Sequence, residues 1–220
     1  LGLGAGWHEP EHVSFGIPFP PLYERFDRLE EAINVIKTLW GPGPASYKGK
    51  HYQVEEVDCL PKPVYGADTP ILIGGSGEKR TIPLVAKYAD EWNAVNVPLS
   101  LYQHKVDVLE AACASQDRDP LTVHRSRMSM ALVADDQLSL DRMTRWHMSM
   151  NGATGSPAEY RKDKSENNNF LVGLTSELVD TLGQFADMGV EEVQFEHFNF
   201  GSDEWPEYLA SEIAPVVAAF

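Results

Sequence analysis

The stretch Pro70-Ile71-Leu72-Ile73-Gly74-Gly75-Ser76-Gly77 decides how this chain of 220 residues is interpreted. Residues 70–73 are short and wholly apolar, which is typical of a strand that is buried on both faces. The glycines after them favour a tight turn, and a helix is predicted next, with Pro83 tolerated near its first turn. The stretch therefore predicts one strand–turn–helix unit.

The same unit recurs along the chain. Five strands are predicted, the first being the end of a buried strand within 1–6 and the others lying at 70–73, 91–95, 123–133 and 190–198. Helices are predicted at 22–40, 99–115, 138–150, 175–189 with Thr175 as its N-cap, and 205–220, the last kinked or broken at Pro215. Strands that alternate with helices predict an α/β fold, in which a parallel sheet is covered by helices.

Five parallel strands leave two open edges, whereas eight strands would close a barrel. We therefore expect residues 1–220 to be a single domain that continues upstream of Leu1 with three more strands. Residues 43–69 are rich in turn formers and are predicted to be an inserted excursion with a small hairpin at 47–52. The polar, Asn-rich residues 151–169 are predicted to be a mobile loop.

The composition excludes several classes of function. Lys plus Arg is 18 and Asp plus Glu is 33, so the formal charge is −15. This charge repels nucleic acids and anionic membranes. The only two cysteines, Cys59 and Cys113, suggest neither a disulfide framework nor a thiolate metal site. We see no apolar run long enough to span a membrane and no signal peptide, so a cytoplasmic protein is expected.

The segment His8-Glu9-Pro10-Glu11-His12 matches the H-E-x-x-H pattern of zinc proteases, with Glu30 and Glu31 downstream. That pattern binds zinc only when a helix brings both imidazoles to one metal. Pro10 removes a backbone donor and disfavours helix at Glu9, so the match is interpreted as accidental and no metal site is expected.

The positions of several polar residues after strands are more informative. His8, the glycine turn, Asn93, and His197 or Asn199 lie in strands or at their carboxyl ends, which form the functional face of parallel barrels. Backbone N–H groups of the glycine turn, together with the next helix N-terminus, could hold a phosphate. Lys79 and Arg80 add positive charge. A tight turn without a ligand explains the glycines equally well, and both interpretations stay open.

Five segments in order resemble the luciferase-like monooxygenase superfamily, and within it the coenzyme F420-dependent oxidoreductases. They are LGLGAGWHEPEHVSFGIPF, RFDRLEEAINVIKTLW, YKGKHYQ, PILIGGSGEKRTIPLVAKYADEWN and FLVGLTSELVDTLGQFADMGVEEVQF. The resemblance covers most of the chain and is weakest over 134–169. It implies a TIM-type (β/α)8 barrel entered at its fourth strand, so that the fourth to eighth strands and their helices are present.

The resemblance also implies a flavin or deazaflavin bound across the carboxyl face of the barrel. His8 matches the family position that contacts the ring system. The phosphate side matches Gly74, Gly75, Ser76 and Gly77, and Lys79 and Arg80 are candidates for the acidic tail of F420. The residues that contact the reacting ring carbon are expected upstream of Leu1, so no catalytic residue is assigned.

The resemblance implies hydride transfer between coenzyme F420 and a small organic substrate, in a protein that is a homodimer by analogy with the family. Two alternatives stay open: an FMN-dependent monooxygenase that uses dioxygen, and a truncated remnant without activity. The sequence does not identify the substrate.

Individual residues also have structural interpretations. His8 could cap a loop, and Trp7 and Trp92 could serve packing rather than a cofactor wall. Arg125 and Arg127 share one strand face, where buried salt bridges explain them at least as well as substrate binding. Near the last strand, three residues could line a pocket: Glu192, Glu196 and His197.

Overall fold

The computed structural model describes residues 1–196 and 202–220. The described residues form two compact units, Leu1–Trp92 with Leu109–His124, and Asn93–Val108 with Arg125–Phe220. Strands alternate with helices in both units, as the sequence predicts for an α/β fold.

The first unit begins with strand β1 (Gly2–Leu3), which pairs in parallel with β4 (Leu72–Gly74). Its other complete elements are helix α1 (Glu9–Ser14), helix α2 (Leu22–Trp40), strands β2 (Ala45–Lys48) and β3 (Gln53–Val57), and helix α3 (Thr81–Tyr88). Strand β5 (Glu91–Val95) and helix α4 (Leu99–Ala114) each contribute residues to both units.

The second unit is organised around the long strand β6 (His124–Ala134), of which only the first residue belongs to the first unit. Strand β7 (Leu171–Leu174) pairs in parallel with its second half, and β8 (Glu192–Glu196) pairs in parallel with its first half. The helices of this unit are α5 (Gln137–Met150), α6 (Pro157–Asn168), α7 (Thr175–Asp187), α8 (Glu204–Tyr208) and α9 (Ala214–Val217).

The core of the first unit lies between α2, β4 and α3. Leu29 and Ile33 of the apolar stripe of α2 are buried, as are Ile71, Ile73 and Val85. The predicted hairpin is confirmed as β2 and β3, which pair in antiparallel register. The carboxylate of Glu31 on α2 accepts hydrogen bonds from the backbone N–H groups of Lys50, His51 and Tyr52, so the helix also fixes the hairpin turn.

Two predictions at the start of the chain were wrong. Gly2 is exposed and Leu3 only half-buried, so β1 is not a buried strand within the described residues. A helix does form at Glu9, because Pro10 occupies its first turn, where the missing N–H has no partner to lose.

The prediction of a mobile loop over 151–169 was also wrong. Helix α6 begins with a capping box, in which Ser156 and Glu159 each bind the other's backbone N–H and Pro157 takes the first position. The chain then forms β7, a strand that the sequence did not predict. Thr175 is the first residue of α7, and Leu174, not Thr175, is its N-cap.

The C-terminal helix is broken earlier than Pro215 predicts. A π-helical segment, Leu209–Ile213, separates α8 from α9, and Pro215 lies within the first turn of α9. The predicted strand over 190–198 is observed as β8, and Phe198 lies outside the described residues.

Candidate functional site

The glycine turn lies between β4 and α3, as the sequence predicts. Gly75 has a φ of 119°, a backbone conformation that residues other than glycine rarely adopt. A Cβ atom at Gly75 would lie 3.4 Å from Thr81 Cγ2, and one at Gly77 would lie 3.1 Å from Thr81 Oγ1. The buried Thr81 therefore occupies the space that side chains at these positions would need.

Two carbonyl oxygens of the turn accept hydrogen bonds, whereas two of its N–H groups stay available. Gly77 accepts a hydrogen bond from Ile82 N at 3.0 Å, and Gly75 accepts one from the indole Nε1–H of Trp92 at 2.7 Å. Within the described residues, the N–H groups of Ser76 and Gly77 donate to no acceptor. The turn thus offers backbone donors of the kind that bind phosphate groups.

The two cations after the turn differ in their contacts. Lys79 is exposed and forms no ion pair with a described residue. Arg80 is half-buried and donates from Nη2 to Asp27 Oδ1 on α2 at 2.7 Å. This hydrogen bond lowers the pKa of Asp27. Lys79 is therefore the cation that is available to a ligand, whereas Arg80 is already engaged by a partner that the sequence did not reveal.

His8 lies at the N-cap of α1, but its side chain makes no capping hydrogen bond. The ring is half-buried and packs edge-to-face on Trp7, with 4.8 Å between the ring centroids. Trp7 is 82% exposed, so most of its side chain takes no part in packing among the described residues. Both ring nitrogens of His8 are without a partner among those residues, which leaves them able to bind a ligand.

The other residues of the zinc-like pattern have separate contacts. His12 donates from Nδ1 to the carbonyl oxygen of His8 at 3.0 Å. Glu30 accepts hydrogen bonds from Lys87 and Tyr88 of α3, and Glu31 holds the hairpin turn. In residues 1–196 and 202–220, no three His, Cys, Asp or Glu side chains come together as metal ligands.

In the second unit, Asn93 is buried in β5 and forms a polar contact across two other strands. Its Nδ2 donates to Ser126 Oγ at 2.7 Å and to Gln194 Oε1 at 3.2 Å. These bonds satisfy the amide nitrogen inside the unit. His197 and Asn199, which the sequence also proposes for this part of the site, lie outside the described residues.

Arg125 and Arg127 are both buried on one face of β6, as the sequence predicts. The expected salt bridge is not found for Arg127 among the described residues. Its Nη2 donates to the carbonyl oxygen of Val97 at 3.1 Å, and the guanidinium lies 4.4 Å from the centroid of the Phe185 ring. Burial lowers the pKa of Arg127 to about 10. It is a buried cation stabilised by a carbonyl and an aromatic ring.

A cavity of about 460 Å³ lies in the second unit, beside the carboxyl end of β6. Its lining includes four aromatic or imidazole side chains, Trp146, His147, Trp205 and Tyr208, and also Glu196. The sequence proposes Glu196 for a pocket but does not reveal the other four, because only residues at strand ends were considered. The adjacent pair Trp146-His147 in a predicted helix was the signal that could have indicated them.

The sequence profile of the luciferase-like monooxygenase family matches residues 1–192. The chain belongs to this family. The resemblance stated from the sequence is thereby confirmed, and so is the α/β fold with parallel strands that this family implies.

Family members of established function are similar to this chain. A pyrimidine monooxygenase RutA of Stutzerimonas stutzeri is 29% identical over 159 residues, covering 70% of this chain and 42% of the relative. An F420-dependent hydroxymycolic acid dehydrogenase of Mycobacterium tuberculosis is 28% identical over 157 residues, covering 71% of this chain and 42% of the relative. The chain thus spans less than half of these relatives' length, and its luciferase-like relatives include F420-dependent and monooxygenase members.

Solved structures of the family share the fold. An F420-dependent secondary alcohol dehydrogenase in complex with an F420–acetone adduct superposes with a TM-score of 0.72 at 19% identity. The superposition covers 99% of this chain and 69% of the dehydrogenase.

None of the helices in the described part of the chain is long and apolar enough to cross a membrane.

Proposed function

We propose that this chain belongs to an oxidoreductase that transfers hydride between coenzyme F420 and a small organic substrate. The observation that carries the proposal is the glycine turn. Its Gly75 is left-handed, and in the described part of the chain the N–H groups of Ser76 and Gly77 and the ammonium group of Lys79 have no partner. The relatives of this chain include F420-dependent enzymes.

The residues of the first unit fit such a cofactor. Side chains at Gly75 and Gly77 would meet Thr81, so only glycine keeps the backbone open there. The N–H groups of the turn would hold the phosphate of the cofactor, and Lys79 would meet its acidic tail. His8 would donate to, or accept from, a polar atom of the ring system through a ring nitrogen.

When bound, F420 supplies hydride transfer at its ring carbon, and the protein supplies orientation and electrostatics. Fixing the phosphate and the ring at separate points sets the position of that carbon against a substrate. The charge of Lys79 offsets part of the repulsion that the acidic chain exerts on an anionic cofactor.

The experiment is a fluorescence titration of the protein with F420 and with the deazaflavin–ribityl compound that lacks the phosphate and the glutamates. Gly75→Ala and Lys79→Ala are expected to weaken F420 binding and to leave binding of the truncated compound unchanged. His8→Phe is expected to weaken the binding of both F420 and the truncated compound. Gly2→Ala is the matched control, because Gly2 lies outside the glycine turn and a Cβ there would meet only Leu72 Cδ2 at 3.8 Å. If F420 at micromolar concentration does not bind, the proposal is refuted.

An FMN-dependent monooxygenase is the second candidate, and the similarity to pyrimidine monooxygenase RutA favours it. The same titration with FMN and riboflavin separates the two candidates, because the protein should bind its own cofactor with the higher affinity. Oxygen uptake by the FMN-loaded protein would support the monooxygenase. Homodimer formation is proposed by analogy with the family only.

A further inference from the structure

The cavity beside β6 has one wall that is held rigidly in place. Tyr208 of α8 donates its hydroxyl to Asp135 Oδ1 at 2.6 Å, and Thr175 donates to the same oxygen at 2.8 Å. The ring of Trp205 stacks on Tyr208 at an interplanar angle of 20°, and Phe195 contacts Trp205 edge-on. The wall therefore presents aromatic surface that needs no rearrangement to receive a flat ligand.

Helix α5 contributes Trp146 and His147 to the lining of the same cavity. His147 is 6% exposed, and its Nδ1 lies 2.8 Å from the hydroxyl oxygen of Tyr160. The other ring nitrogen, Nε2, has no partner among the described residues. Because His147 lines the cavity and this nitrogen has no protein partner in the described residues, it is available to a polar group of a ligand.

The direction of the bond between His147 and Tyr160 follows from the groups around it. Tyr160 is buried, and its phenol has no acceptor other than His147 Nδ1 in the part of the chain that the structure describes. Burial raises the pKa of Tyr160 and lowers that of His147, so both are neutral near pH 7. Tyr160 therefore donates its proton to Nδ1, and His147 carries its own proton on Nε2.

The charges around the cavity disfavour an anion. Glu196 and Glu204 line it together with Asp135 and Asp136, and one cation, Arg142, stands among these lining residues. Its volume of about 460 Å³ suits a small organic molecule. The ligand should thus not be an anion, and it should be flat and able to accept one hydrogen bond.

We propose that this cavity binds a planar, uncharged aromatic compound with a carbonyl group, whose oxygen accepts a hydrogen bond from His147 Nε2–H. The ring of the compound lies between Trp146 and the Trp205–Tyr208 stack. That this compound is the substrate of the hydride transfer rests on the proposed function. Its binding does not, because the test below contains no cofactor.

The test uses three probes of similar shape, acetophenone, ethylbenzene and benzoate, titrated into the protein with tryptophan fluorescence as the readout. Acetophenone is expected to bind with roughly five- to tenfold higher affinity than ethylbenzene, the ratio expected for one neutral hydrogen bond. Benzoate is expected to bind more weakly than either. Equal binding of acetophenone and ethylbenzene, or no saturable binding of any probe, would overturn the proposal.

Variants test which side chains cause the preference for acetophenone over ethylbenzene. His147→Phe is expected to remove the preference for acetophenone while ethylbenzene still binds. Trp146→Ala is expected to weaken the binding of both compounds. Met150→Ala is the control, since Met150 is exposed at the end of the same helix and does not line the cavity. Unchanged discrimination in His147→Phe would overturn the assignment.

Tyr160→Phe and ¹⁵N NMR keep the test valid if His147→Phe fails to fold. Tyr160 is a positioning residue, so its loss should reduce the preference without changing ethylbenzene binding. The ¹⁵N shifts of His147 should show a proton on Nε2 in the wild type and a mixture of tautomers in Tyr160→Phe. A wild-type proton on Nδ1 would contradict the proposed donor.

Discussion

Trp92 donates its indole N–H to the carbonyl oxygen of Gly75, across 2.7 Å. The donor is fully buried in β5, and the acceptor is the left-handed residue of the glycine turn. This single hydrogen bond joins the core of the first unit to the proposed phosphate-binding turn. It also shows that Trp92 is a packing residue and not an exposed wall of a cofactor site.

Trp92→Phe should destabilise the protein by about 2–4 kcal/mol, because the smaller ring leaves a void and the Gly75 carbonyl loses its donor. Denaturant unfolding measures the change. Trp7→Phe is the control and should change little, since Trp7 is 82% exposed. A loss below roughly 0.5 kcal/mol in Trp92→Phe would show that the bond does not hold the turn.

Gly75→Ala should cost about 1–3 kcal/mol of stability, because alanine is strained at a φ of 119°. Gly74→Ala should cost much less, since Gly74 has no positive φ and its Cβ meets no close atom. Thermal unfolding of the two variants side by side gives the comparison. If both variants unfold at the same temperature, the turn is not conformationally restricted as described.

The sequence predicts α2, β5 and α5 nearly at their observed bounds, because each has a strong local pattern of apolar residues. It fails for α6, whose twelve residues are polar on almost every side. There the signal was in the cap, Ser156-Pro157-Ala158-Glu159, and not in periodicity. Strand β7 is only four residues long and needs β6 as its partner, so no local pattern marks it.

For the candidate site, too, the sequence predicts the local features and misses the contacts between residues that are far apart in the chain. The glycine turn follows from residue types alone, because glycine is required where the backbone is left-handed. The pairing of Arg80 with Asp27 joins residues far apart in the chain, and no spacing reveals it. The cavity is likewise lined by residues of α5 and α8, which are far apart in the sequence.

Ser156→Ala should destabilise helix α6 by about 1 kcal/mol, because it removes the Oγ atom that accepts the hydrogen bond from Glu159 N–H in the capping box. Hydrogen exchange of the amides of residues 158–160 should accelerate, while exchange in α2 stays unchanged. Ser156→Asp, which can accept the same backbone bond, should restore most of the protection. Equal exchange in the alanine variant and the wild type would mean that the cap is not formed in solution.

Arg127→Met should leave stability unchanged or raise it by up to about 2 kcal/mol, because the variant removes a buried charge that has no carboxylate partner among the described residues. Arg127→Lys should be destabilising, since it keeps the charge and loses the flat contact with Phe185. Denaturant unfolding distinguishes them. A large loss in the methionine variant would indicate that the guanidinium has a partner outside the described residues.

His147 should make stability depend on pH. Its pKa in the folded protein is lowered by burial and, secondarily, by the charge of Lys164. Between this value and the ordinary value near 6.5, the unfolded chain binds more protons than the folded one. Stability contributed at this site is therefore constant at higher pH and falls as the pH drops below about 6.5, by at most about 1.4 kcal/mol per pH unit.

His147→Gln removes this titration, so the measured quantity is the difference in unfolding free energy between the wild type and the variant from pH 8 to pH 5. That difference should be flat at the alkaline end and should shift against the wild type on acidification. Contributions that the two proteins share cancel in this difference. A difference that stays constant across the range would mean that His147 is charged as readily in the folded protein as in the unfolded chain, and that the cavity wall presents no neutral donor.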